Sequence, residues 1–243
     1  MTLLGETWAN QMADPIPLYR FLDSDAALKT LVAGRFRVGQ LSKFNDPFEW
    51  RLGFTGAATP QQQEFAKNYS NEHHRWLETW MGILSFSKTI SDPTLWSLYA
   101  DKHSGVAFEV QYTWKDDHIV KMEYPPERPV LDFDRLIKMH DENEKKKYLL
   151  SLLDGLMRRK SPSWSFEQEY RLQIDLNDQA HCCQLADGRH HWQIHRDVLK
   201  RLVLGFRCPL EEATVRKLLD MNGFTGTDVV RAKLCQETYS VII

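Results

Sequence analysis

The chain has 243 residues, 42% hydrophobic and 12% aromatic, enough for a sizeable core in one large domain or two small ones. Its formal net charge is −2 and no basic run is longer than Lys145-Lys146-Lys147, which excludes the electrostatic footprint of a dedicated duplex-DNA binder. Four cysteines, two of them the adjacent Cys182-Cys183, make a poor disulfide framework.

Pro17-Leu18-Tyr19-Arg20-Phe21 has strand-like content. Asp23-Ser24-Asp25 offers caps for a helix through Leu28, Leu31 and Val32 that Gly34 ends, and Arg35 to Val38 alternates as a brief strand. Asn45-Asp46-Pro47-Phe48 carries turn chemistry. Residues 60–80 read as a helix and Met81 to Ser87 as a strand, with Ser85 and Ser87 on one face and Leu84 and Phe86 on the other. Ser91-Asp92-Pro93 starts a helix in which Trp96, Tyr99 and His103, at i, i+3 and i+7, form one stripe.

Val106 to Tyr112 and Val120 to Tyr124 alternate as strands, and after Pro125-Pro126 a charged amphipathic helix runs from about 134 to Arg159. Tyr170, Leu172, Ile174 and Leu176 then alternate as a half-buried strand. That period puts Glu167, Glu169 and Arg171 together on the opposite face, the two carboxylates about 6–7 Å apart. A hairpin turns at Asp187-Gly188, a short helix covers His195 to Leu202, and Val203 to Phe206 is a short strand. Pro209 opens a helix that Asn222-Gly223 closes, and Val229 to Ile243 gives a last strand. With no repeat, no linker and no regular βαβ alternation, the expectation is a single α+β domain over 1–243, its sheet mainly antiparallel, continuous or split, and flanked by helices.

Met1 to Glu6 lacks the features of a signal peptide, and no apolar stretch nears the ~20 residues that span a bilayer, so a reduced cytoplasmic setting without membrane contact is expected. There is no Gly-rich phosphate loop and no nucleophile elbow. His181, Cys182, Cys183, His190, His191 and His195 are the one cluster of metal-type ligands; their spacing fits no standard zinc pattern, and no metal is expected. A local basic patch could form at Arg158, Arg159 and Lys160.

Several short motifs follow one another in order. They are Leu18-Tyr19-Arg20, Asn45-Asp46-Pro47-Phe48-Glu49, Ser85-Phe86-Ser87, Trp96 through Val106 (WSLYADKHSGV), and Trp164 through Arg171 (WSFEQEYR). Over roughly residues 17 to 210 this order resembles a widespread bacterial family that carries no assigned function. More distantly, Arg20, Ser85-Phe86-Ser87 and Glu167-Gln168-Glu169 resemble the Arg, Ser-x-Ser and Glu-x-Glu motifs of toxin-type ADP-ribosyltransferases, with Phe86 where those enzymes usually carry Thr.

That resemblance implies an ADP-ribosyltransferase-like fold and NAD as substrate, with a protein, a nucleic acid or water as acceptor. It assigns catalysis to Glu169 and Glu167, the pyrophosphate to Arg20, and the nicotinamide ribose to Ser85 and Ser87. Tyr19 or Tyr99 would stack on the nicotinamide with Trp96 and His103 nearby, and Arg171 would keep the carboxylates ionised. By analogy such chemistry belongs to toxins or phage defence. Two other readings stand beside it. One is a non-enzymatic recognition module built on the Trp96–Tyr99–His103 stripe or on the aromatic-rich strands; the other is a metal-dependent nuclease or phosphoesterase built from Asp46, Glu49, Glu109, Glu167 and Glu169.

Overall fold

The computed structural model describes residues 16–56, 59–111, 119–186 and 188–243. In chain order the elements are β1 (Pro17–Leu22), α1 (Ser24–Ala33), β2 (Arg35–Arg37), β3 (Gly53–Thr55), α2 (Pro60–Trp80), β4 (Met81–Ser87), α3 (Pro93–Tyr99), β5 (Val106–Gln111), β6 (Ile119–Lys121), β7 (Val130–Asp132), α4 (Phe133–Lys138) and α5 (Glu142–Arg158). There follow β8 (Glu169–Asp175), β9 (Cys182–Gln184), β10 (His190–Gln193), β11 (Leu199–Leu204), α6 (Glu212–Met221), β12 (Asp228–Arg231), β13 (Lys233–Leu234) and β14 (Val241–Ile242), with short 3-10 helices at Leu41–Lys43 and Pro162–Glu167.

Capping residues set the helix ends. The side chains of Asp23 and Asp92 accept from Ala26 N and Thr94 N, Thr59 and Gln62 close a reciprocal capping box, and Gly34 ends α1 in the left-handed region at φ 63°.

Seven strands form one sheet in the order β12-β11-β5-β1-β4-β8-β6, antiparallel throughout except for the parallel β11–β12 pair. The α+β expectation with a mainly antiparallel sheet therefore holds. One face buries Leu18, Leu84, Phe86, Phe108, Tyr170, Leu172 and Leu202 beneath α1, α6 and the small β2-β10-β9 sheet. The other face buries Tyr19, Phe21, Ala107 and Val203 against Leu95, Trp96 and Ala100 of the α3 region, with Val241 of β14 closing the side. Trp50 and Leu77 cover Met81 and Ile83, and α4, α5 and the β3–β7 pair make a satellite core around Leu131, Phe133 and Leu152. Among the described residues no helix is long and apolar enough to cross a membrane.

Several sequence expectations are corrected. The long helix from 134 to 159 is two helices, because the chain extends at Met139 and Asp141 restarts the ladder as an N-cap that accepts from Asn143 N and Glu144 N. His195 to Leu202 is not helical; Leu199–Leu204 is an interior strand whose apolar run is buried by two neighbours. The C-terminal strand is β12 plus the β13–β14 hairpin. The β9–β10 hairpin forms with Gly188 at φ 76°, while Asp187 lies outside the described residues, as does Tyr112.

Trp96 is also not a binding platform. It is fully buried, its indole N–H donates to Ile90 O at 2.7 Å, and its ring meets Phe21 edge-on at 5.1 Å. Trp96→Phe is expected to lower the unfolding free energy by about 2 kcal/mol through lost ring volume and the lost hydrogen bond, measured by urea titration. An unchanged midpoint would contradict a core role.

Candidate functional site

β8 carries the charge that the period-2 reading singled out, but it is buried on both faces. The strand begins at Glu169; Glu167 closes the 3-10 turn, and Gln168 between them is left-handed at φ 44°. The two carboxylates meet because of this kink rather than through strand pleating. Glu167, Glu169 and Arg171 are 5%, 4% and 1% exposed, so they are neither a solvated sheet face nor a surface ion pair.

Two cations and one further carboxylate complete the cluster. The turn at Asn45–Phe48, where Asp46 accepts from Phe48 N at 2.9 Å, delivers Glu49. Arg171 binds Glu169 through Nε at 2.7 Å and Nη2 at 2.8 Å, and Glu49 through Nη2 at 2.5 Å, with its guanidinium over Phe44. Lys160 Nζ stands 3.1, 2.5 and 3.2 Å from Glu49, Glu167 and Glu169, beside the Trp164 ring. Tyr99 donates to Glu167 Oε1 at 2.5 Å and accepts from Asn45 Nδ2 at 3.1 Å. Tyr124 accepts from Glu169 N.

The two serines brace this pair from an interior strand, not from an edge. Ser85 hydrogen-bonds the Glu169 carboxylate and Ser87 donates to Glu167 O at 2.6 Å.

The environments of the two carboxyls diverge. Burial would raise Glu169, but Arg171 and then Lys160 outweigh it and hold the group at about 2. At Glu167 burial wins over the pull of Lys160, and neighbouring Glu169 adds to it, so its proton affinity is raised. Burial opposes the ammonium of Lys160, yet Glu169, Glu49 and Glu167 together raise its affinity for the proton. Burial and the bond to Glu167 push the Tyr99 hydroxyl far up, and burial pushes Tyr124 up to about 12. With all five ionised the cluster carries −1, and one proton on Glu167 would bring it to zero.

Other expected site residues lie apart. Arg20 projects from the opposite face of the sheet, over Phe36, with Nη1 donating to Ser85 O and Nη2 to Arg37 O. The α3 helix ends at Tyr99, so His103 is not on the helical stripe. It follows Asp101 and Lys102 in a left-handed run, and its ring stacks on Trp96 and meets Phe206. Burial, then Arg207, lowers its proton affinity. Tyr19 is on the carboxylate face, paired with Ser87 and Glu109.

The basic patch does not form, since Lys160 points inward, Arg158 pairs with Asp154 and Arg159 lies 3.9 Å from Glu123. Among the described residues no three His, Cys, Asp or Glu side chains are grouped to hold a metal ion; His181 instead pairs with Asp178 and packs on Trp192. Lys160 and Tyr124 were missed as site residues. For Lys160 the signal was available: a lysine seven residues before Glu167, separated by Pro162, can fold back across a short turn. The chain matches no family model, no curated protein and no solved structure.

Proposed function

We propose that this chain is an NAD-consuming enzyme, an ADP-ribosyltransferase or NAD glycohydrolase, that works at the Glu167–Glu169 centre. The observation that carries the reading is that one ammonium, Lys160, is shared by two carboxyls of a single motif that are driven apart in proton affinity. Such separation is how one site obtains a fixed anion and a proton carrier from the same side-chain chemistry.

Cleavage of the nicotinamide–ribose bond passes through a cation-like sugar carbon, the problem glycosidases solve with paired carboxylates. The C1′–N bond breaks and neutral nicotinamide leaves with the bonding pair. A C1′–O bond forms to water or an acceptor hydroxyl, whose proton passes to Glu167. A base with raised affinity near the half-buried Tyr99 suits that step. Glu169, with Arg171 and Lys160 on its oxygens, keeps both cations in place as a positioning residue. Neutral Tyr99 holds Glu167 in orientation.

The nuclease reading is less favoured because Lys160 occupies the space between the three carboxylates where an ion would sit. The recognition module is less favoured because Trp96, one member of its stripe, is fully buried.

The test is nicotinamide release and label transfer from adenylate-labelled NAD, with and without cell lysate. Glu167→Gln is expected to reduce the rate by roughly 10²–10⁴-fold while keeping a cooperative melt. Absence of NAD turnover under both conditions, with no NAD binding by calorimetry, would overturn the reading.

A further inference from the structure

The loop from Asn45 to Arg51 sends its side chains two ways. Glu49 and Trp50 turn inward and are buried, Glu49 onto Lys160 and Arg171, while Phe48 stays 58% exposed and Arg51 lies at the surface. Backbone bonds fix the turn that separates them: Asp46 accepts from Phe48 N, and Arg51 N donates to Phe48 O at 3.3 Å. Asn45, at the start of the same loop, reaches Tyr99 and through it Glu167. Phe48 and Arg51 therefore stand on the rim of the carboxylate centre, on surface that solvent reaches.

A third side chain joins them from the loop before β7. Arg128, also at the surface, holds its guanidinium over the Phe48 ring at 5.3 Å and donates through Nη2 to Arg51 O at 2.8 Å. Two arginines are thus brought together. Desolvation, eased by Asp46 and worsened by Arg51, weakens the hold of Arg128 on its proton. Neither arginine forms an ion pair with a carboxylate of the described residues. Asp46 is buried and already engaged, with Phe48 N at 2.9 Å and Ser161 N at 3.5 Å. Neighbouring like charges with no anion between them are costly, and a bound anion removes that cost.

We propose that Phe48, Arg51 and Arg128 form a subsite for a nucleoside diphosphate, the adenosine diphosphate half of the dinucleotide whose scissile ribose lies at Glu167; its place in turnover rests on the NAD reading above. The two guanidinium forks take the two phosphates, and the base stacks on the face of Phe48 that Arg128 leaves open. The pyrophosphate neutralises the adjacent cations, and the ring favours a nucleotide over an inorganic anion. One loop then serves both ends of the ligand, with Glu49 on its inner side in the carboxylate cluster and the phosphate and base contacts on its outer side. The assignment also supplies cations beside the centre, which Arg20, on the opposite face of the sheet, does not.

Calorimetry with ADP and with inorganic pyrophosphate tests this. The wild type is expected to bind both. Arg51→Ala and Arg128→Ala should each weaken both ligands roughly tenfold to a hundredfold, the worth of a hydrogen bond to a charged group. Phe48→Ala should weaken ADP by a similar factor and leave pyrophosphate largely unchanged. All three side chains are at the surface, so the variants should keep the wild-type melt. In turnover ADP should compete with NAD, and the arginine variants should raise KM for NAD with kcat held. Absence of ADP binding, binding indifferent to the three substitutions, or binding that does not compete with NAD would overturn the subsite and leave the NAD reading standing. A single-stranded oligonucleotide that binds where ADP does not would overturn it too. Variant-sensitive ADP binding by a wild type that does not cleave NAD would sustain the subsite and sink the NAD reading alone.

Discussion

Lys160→Met lowers the unfolding free energy at pH 7.5 by about 3–5 kcal/mol, the usual cost of removing one partner from a buried ion cluster. The ammonium lies within 3.2 Å of three carboxylates that are each less than 8% exposed. Without it Glu49, Glu167 and Glu169 face one another with Arg171 alone to balance them, and the cluster moves from −1 to −2. Glu167, already raised by burial, then loses the pull of the ammonium and binds its proton more tightly still in the folded state. Its contribution is fully present below the unfolded value and is lost as pH rises through the folded one. The deficit of the variant should therefore shrink between pH 7.5 and pH 5, which urea titrations at the two values will read. A deficit below about 1 kcal/mol that ignores pH would mean that Lys160 is not what holds the carboxylates together.

Glu169 gives the opposite sign. Its folded value of about 2 lies below the ordinary 4.5, so it contributes stability that is present above pH 4.5 and disappears as pH falls toward 2. The shift corresponds to roughly 3 kcal/mol. Glu167, raised by burial, works against it: its contribution is present below its unfolded value and is lost as pH rises. Wild-type stability should fall on acidification below pH 4.5. Glu169→Gln should be less stable at neutral pH, because Arg171 and Lys160 lose a partner, and should show a flattened acid limb. Urea midpoints measured from pH 2.5 to pH 7 compare the slopes. Parallel acid limbs in the two proteins would remove Glu169 from the role assigned to it.

The strands with strict alternation and the helices with capping residues were legible because those signals are local. Met81 to Ser87 appears as β4 and Ser24 to Ala33 as α1 with the expected cap and closing glycine. Leu199 to Leu202, the first part of the Leu199–Leu204 strand, was read as helix because LKRLVL lacks alternation, and only its two sheet neighbours make it extended. The charged motif was visible, but its environment was not. Period 2 assigns Glu169 and Arg171 to one face and says nothing of which loop covers that face. The cover is residues 44–50 and 160–167, whose approach depends on tertiary contacts that no window of sequence contains. Arg20 shows the same limit from the other side: its strand was right, and the pairing register decided which face it took.

The placement of β1 at the centre of the sheet bears on how the chain is made. β1 leaves the ribosome before either of its sheet partners, β4 and β5, and β5 ends about 90 residues later. At 5–20 residues per second that is a wait of roughly 5–18 s during which Leu18, Tyr19 and Phe21 have no sheet to enter. The sheet then closes through contacts distant in sequence, which are slow to form. The nascent chain is thus expected to be a chaperone client between the emergence of β1 and that of β5, and release from the chaperone should follow the emergence of β5.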